Sequence, residues 1–178
     1  MAAADASNPS ADLVRWAVRD FEGMLIGYAA NLTGDLEMAR DVVQDTFIKL
    51  HVQDPCRLDG PGLKAWLFTV CRNRALDLLL RNRRLVSLED SPMDHLPDTA
   101  PAPDARAAEM DETALVLNFL RRLSTNQAEV LRLKFQHDLS YQEIADITGL
   151  SATNVGFLIH TGLKKLRVLL APEAAACA

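Results

Sequence analysis

Five arginines crowd one short segment of this chain. In CRNRALDLLLRNRR, residues 71–84, Arg72, Arg74, Arg81, Arg83 and Arg84 stand against Asp77 alone, a net charge of +4. Guanidinium forks match phosphate oxygens and stack on bases, so the segment is a candidate nucleic-acid surface. The plainer reading is a solvated helix face. Trp66, one to two turns earlier, either packs in the core or offers its ring to an unpaired base. Further along, LSYQEIADITGLSATNVGFLIHTGLKKLRVLL, residues 139–170, has the residue order of a helix-turn-helix, which lays one helix in the major groove of DNA.

Each cluster needs elements to hold it. A first helix over about 140–147 would turn Ile144, Ala145 and Thr148 toward its partner. Gly149 suits the left-handed residue that ends such a helix, and Ser151 suits the cap of the next. Val155, Leu158 and Ile159 then form the inward stripe of the second helix. An ordinary helical corner in a core has the same pattern and is the alternative. Upstream, residues 11–84 carry 3.6-residue periodicity that predicts a four-helix domain. Leu13, Trp16, Ala17, Phe21, Met24, Leu25 and Tyr28 line one face over 12–31, where Gly23 and Gly27 leave open one helix or two. Asp35 can cap a helix over 36–53 that buries Ala39, Val42, Val43, Phe47 and Leu50 and exposes Asp41, Gln44, Asp45 and Lys49. A Pro/Gly-rich loop over 54–62 leads to a helix over 63–84, apolar at Trp66, Leu67, Val70, Leu78 and Leu79.

Between the helical blocks the composition changes. Residues 85–112 hold eight acids against Arg106 alone, a net charge of −7, with four prolines and few apolar residues. Such a stretch buries too little surface to fold and reads as a flexible linker. The expected organisation is therefore two small all-α domains, 11–84 and 113–170, joined by an acidic linker. Apolar content of 49% supports packed cores, while a net charge of −5 excludes a generally sticky polyanion binder. DNA contacts must then come from local basic patches. Cys56, Cys71 and Cys177 are odd in number and lack metal-ligand spacing, so reduced thiols and no metal are expected. The start, MAAADASNPSADL, lacks a signal-peptide pattern, and no apolar run nears the roughly 18 residues of a membrane span. A cytoplasmic protein without membrane insertion is expected.

Two stretches carry a family likeness. ARDVVQDTFIKLH (39–51) and LKAWLFTVCRNRALDLLLRNRR (63–84) resemble the second conserved region of bacterial extracytoplasmic-function (ECF) RNA polymerase sigma factors. Residues 123–170 resemble their fourth region. The likeness implies core RNA polymerase and promoter DNA as partners, an anti-sigma factor as a further partner, and no cofactor. It implies that Asp41, Gln44, Asp45 and Lys49 face the polymerase. It assigns Trp66, Arg72, Asn73, Arg74, Arg81, Arg83 and Arg84 to the minus-ten promoter element. The helix opened by Ser151 would read the minus-thirty-five element through Thr153, Asn154, Phe157 and His160, with Lys164 and Lys165 on phosphates. Asn pairs with adenine and Phe touches a thymine methyl. Family members usually carry Lys and Arg over about 156–163, where this chain has Gly156, Phe157, Leu158, Thr161, Gly162 and Leu163. Gly156 and Gly162 each weaken a helix by up to about 1 kcal/mol.

No nucleophile–base pair, metal cluster or phosphate-binding glycine loop appears, so no enzymatic activity is expected. The linker spans about 30 Å relaxed and roughly 90 Å extended, against about 35–70 Å between readers one to two DNA turns apart. Two other readings remain from the sequence. One is a stand-alone helix-turn-helix regulator, which would bind a palindromic duplex without polymerase. The other is a protein-interaction module whose second helix no longer binds DNA.

Overall fold

The computed structural model describes residues 9–53, 61–89 and 122–174. Among these residues are six helices and no strand, in agreement with an all-α protein: α1 (Pro9–Thr33), α2 (Leu36–His51), α3 (Pro61–Glu89), α4 (Thr125–Phe135), α5 (Tyr141–Thr148) and α6 (Ala152–Ala174). The chain divides into two units, Met1–Leu96 and Pro97–Ala178. Loop residues 54–60, linker residues 90–112, Cys56 and Cys177 lie outside the described residues.

In the first unit α1 is one unbroken helix, so the described residues hold three helices where periodicity suggested four. Gly23 and Gly27 do not break it. A Cβ at either position would meet nothing within 4 Å, and the opposite face packs Ala17, Leu25, Tyr28 and Ala29 into the core. Tertiary burial outweighs weak local propensity here. Gly34 makes the following turn at φ +73°, and Asp35 Oδ1 accepts the Met38 amide at 2.8 Å to start α2. The five predicted apolar positions of α2 are buried, and Thr46 joins them. Its hydroxyl donates to the Val42 carbonyl at 2.8 Å, which offsets the cost of burying it. From α3 the core takes Leu63, Leu67, Phe68, Cys71 and Ala75. Each fully buried large side chain there stabilises the unit by about 1.5–3 kcal/mol. Phe68 meets Tyr28 edge-on, with ring centroids 5.1 Å apart.

Three expectations for this unit need correction. Trp16, read as core, is 38% exposed and rests edge-on against Phe21. Trp66, Val70, Leu78 and Leu79 are half-buried, because the buried arc of α3 runs through Phe68, Cys71 and Ala75 instead. And α3 continues to Glu89, so residues 85–89 of the expected linker extend that helix.

The second unit is built on caps. Ser124 and Gln127 form a reciprocal capping box at the start of α4, and Ser140 and Glu143 form another at α5. Gly149 ends α5 at φ +74°, its amide donating to the Ala145 carbonyl at 2.8 Å. Ser151 Oγ accepts the Asn154 amide at 3.2 Å and opens α6. Ile144, Ala145, Ile147, Val155 and Ile159 are buried between these helices, while Leu158 and Thr148 are half-buried. The helix-turn-helix read from residues 139–170 is present with its expected turn and caps.

Candidate nucleic-acid interface

On α6 the capping serine and the inward stripe dictate what faces out. With Val155 and Ile159 buried, and roughly 100° of rotation per residue, Thr153, Phe157, His160 and Lys164 fall on one outward stripe. All four are exposed, the large apolar Phe157 at 64%. Asn154 and Lys165 border that stripe on one side and are also exposed. The helix therefore presents its candidate readers together, at its N-terminal end, where backbone amides and the helix dipole favour phosphate.

The two glycines of α6 act through packing rather than as gaps. A Cβ on Gly162 would lie 2.9 Å from Leu131 Cδ1, and Gly162 itself is buried. The residue permits close approach of α6 to α4, which offsets its low helix propensity. At Gly156 the ring of Tyr141 covers the helix, with Cε2 3.5 Å from where a Cβ would sit. Lys134 Nζ stands 5.9 Å from the centroid of that ring.

Gln127 was not singled out from the sequence, although the Ser124–x–x–Gln127 spacing of a capping box was there to be read. It is 6% exposed. Its Nε2 donates to Thr161 Oγ1 at 3.0 Å, and its Oε1 accepts from Lys165 Nζ at 3.2 Å and from the Ser124 amide at 3.4 Å. Lys165, expected at a phosphate, is thus tied to α4 in this state. Lys164 is exposed and makes no such tie.

In the first unit the candidate residues divide by helix. On α2, Asp41, Gln44 and Lys49 are exposed as expected. Asp45 departs from that reading: it is half-buried, and Arg74 Nε donates to its Oδ2 at 2.6 Å. The α2 face is also less polar than periodicity suggested. Ile48 is 56% exposed. An open groove of about 550 Å³ between α1 and α2 is lined by the apolar Val14, Val18, Ile26, Val43, Phe47 and Ile48, and by Glu22, Arg40, Gln44 and His51.

The arginines of α3 do not share one face. Trp66, Asn73, Asp77 and Arg84 fall on one stripe at roughly 100° per residue, with Arg72 and Arg83 on one flank and Arg74 and Arg81 on the other. Asn73, Arg81, Arg83 and Arg84 are exposed, whereas Trp66, Arg72 and Arg74 are half-buried. Cys71 is buried beneath them, and that burial pushes its thiol up to about 12, slightly countered by a hydrogen bond to Thr46. It is a packing residue, not a reactive one.

With these surfaces defined, comparison with known proteins gives the family. The sigma-70 region 2 model matches residues 17–85, and the sigma-70 region 4 model matches residues 113–166. The chain is 30% identical over 169 residues to the ECF RNA polymerase sigma factor SigL of Mycobacterium tuberculosis, covering 93% of each. It is 25% identical over 142 residues to the ECF RNA polymerase sigma factor SigM of Bacillus subtilis, covering 80% of this chain and 85% of that one. Among solved structures it resembles the sigma factor RpoE from Bartonella quintana, crystallised with the anti-sigma factor NepR. The TM-score is 0.64 at 25% identity, over 90% of this chain and 97% of that one. It also resembles CnrH in complex with the cytosolic domain of CnrY, with a TM-score of 0.59 at 28% identity, over 94% and 95% of the two chains. The chain belongs to the ECF RNA polymerase sigma factors, with regions two and four as its two helical parts. Among the described residues, no helix is long and apolar enough to cross a membrane.

Proposed function

We propose that this sigma factor docks on core RNA polymerase through the outward face of α2, where Asp41, Gln44 and Lys49 surround the exposed Ile48. Acid and amide groups beside an apolar groove suit a basic, amphipathic partner helix, since charge steers the encounter and apolar burial holds it. The exposed stripe of α3, with Asn73 and Arg84, then meets the opened minus-ten segment. Trp66 lies on the same stripe, half-buried, and Arg72, Arg74, Arg81 and Arg83 flank it. Flipping a base costs a few kcal/mol, and stacking and phosphate contacts offset it. The protein performs no bond chemistry of its own, needs no cofactor, and works in the cytoplasm beside the polymerase.

At the minus-thirty-five element α6 enters the major groove. Thr153, Asn154, Phe157 and His160 face the bases, and Ser151, Lys164 and Lys165 face phosphates. The observation that carries this reading is the α6 stripe itself: four exposed side chains aligned behind a serine cap and a left-handed glycine turn. Because the stripe is short of arginine, it depends more on base contact and less on phosphate attraction, so its binding falls less steeply with salt than that of a basic recognition helix. By analogy with the neighbours crystallised with anti-sigma factors, an anti-sigma partner that covers these surfaces is also proposed.

Run-off transcription with core polymerase on a promoter library tests the whole reading. Transcripts from defined starts are expected, and their loss is expected with Gln44→Ala. Polymerase-independent binding to a palindromic duplex, with no transcript from any template, would replace this reading with the stand-alone regulator.

A further inference from the structure

Asp45 belongs by its position to the polymerase-facing helix, and Arg74 to the DNA-facing one, yet the two side chains meet. Arg74 Nε donates to Asp45 Oδ2 at 2.6 Å, with the arginine side chain 25% exposed and the aspartate 37%. The clamp uses one nitrogen only. Among the described residues, the guanidinium makes no other hydrogen bond or ion pair. An arginine held at Nε keeps both terminal nitrogens as a fork matched to two oxygens of a phosphate. On α3, Arg74 borders the exposed stripe of Asn73, and the exposed Arg81 lies on the same flank two turns on.

We propose that Asp45 is a positioning residue for DNA: it holds the Arg74 fork so that it grips a phosphate of the opened strand. The inference rests on the minus-ten reading of α3 and assigns one of its phosphate anchors. A free arginine must freeze several torsions to bind, and a clamped one has already done so. The carboxylate also repels the incoming phosphate, so charge and positioning have to be separated experimentally.

Asp45→Asn and Asp45→Ala do so, because both remove the charge but asparagine Oδ1 can still accept from Nε. Binding of the full chain to a fluorescein-labelled single-stranded DNA 12-mer of random sequence is read by anisotropy across a salt series. Asp45→Ala should bind about three- to tenfold more weakly than Asp45→Asn. Arg74→Gln should reduce the slope of log affinity against log salt by about 0.7, the share of one single-strand phosphate. In the Arg74→Gln background the two Asp45 variants should become equal. Equal DNA binding by Asp45→Ala and Asp45→Asn overturns the proposal, as does an unchanged salt slope in Arg74→Gln. If instead the parent chain fails to bind polymerase at all, the functional reading fails and the clamp is judged on the DNA data alone.

Discussion

Among the described residues each unit of this protein carries a polar side-chain tie between helices, Asp45–Arg74 in the first and the Gln127 amide in the second, and these two differ in kind. In the first unit, Asp45 and Arg74 form a charged pair at a half-exposed seam between α2 and α3. In the second, the buried amide of Gln127 joins α4 to α6 through Thr161 and Lys165, and also closes a capping box. A buried amide must have its groups satisfied, so it specifies one geometry and leaves little over. A half-exposed pair is worth at most about 1 kcal/mol to stability, but it can leave donors free for a ligand. The second tie is architectural, and the first has the character of a functional one.

The glycines differ in the same sense. Gly23 and Gly27 in α1 face open space, whereas Gly162 in α6 lies against Leu131. The same residue type is a cost in one unit and a packing requirement in the other.

The largest expected effect tests that contrast. Gly162→Val should destabilise the second unit by about 3 kcal/mol through overpacking against Leu131, measured by denaturant unfolding of the full chain. Leu131→Ala placed beside it should recover part of the loss, and a neutral Gly162→Val would dissolve the distinction between the glycines. Next, Gln127→Ala should cost about 2 kcal/mol by removing one half of the capping box together with the buried side chain that bonds Thr161 and Lys165. Asp45→Ala should cost less than half of that by the same measurement, since its site is half-exposed. Equal losses would mean that both ties are architectural. Smaller still, and opposite in sign, Gly23→Ala and Gly27→Ala should each stabilise the first unit by up to about 1 kcal/mol, seen as a raised unfolding midpoint.

The smallest effect concerns Cys71. Its thiol is raised from 9.0 to about 12 by burial, so the folded state disfavours the thiolate. That contribution to stability is fully present below pH 9 and is lost as pH rises from there toward 12. Stability of the first unit should therefore fall more steeply above pH 9 in the parent than in Cys71→Ala. Alkylation of Cys71 near neutral pH should require unfolding. Fast labelling of the native chain would place this thiol outside the core.

Much of the candidate site was legible without coordinates, for reasons of local chemistry. Gly149 demands a left-handed backbone, Ser151 and Asp35 offer short acceptors to free amides, and Val155 and Ile159 recur at helical spacing; such signals act within a turn or two of chain. From them alone follow the helix-turn-helix, the outward placement of Thr153, Asn154, Phe157 and His160, and the buried face of α2. Tertiary structure decided what depends on neighbours distant in sequence. Asp45 meets Arg74 across 29 positions, and Gln127 meets Lys165 across 38. No periodicity encodes which exposed-looking charge will find a partner on another helix. Nor does composition say that one helical glycine faces solvent while another lies beneath a leucine. Those outcomes depend on how closely two helices approach, and that distance is a property of the packed core.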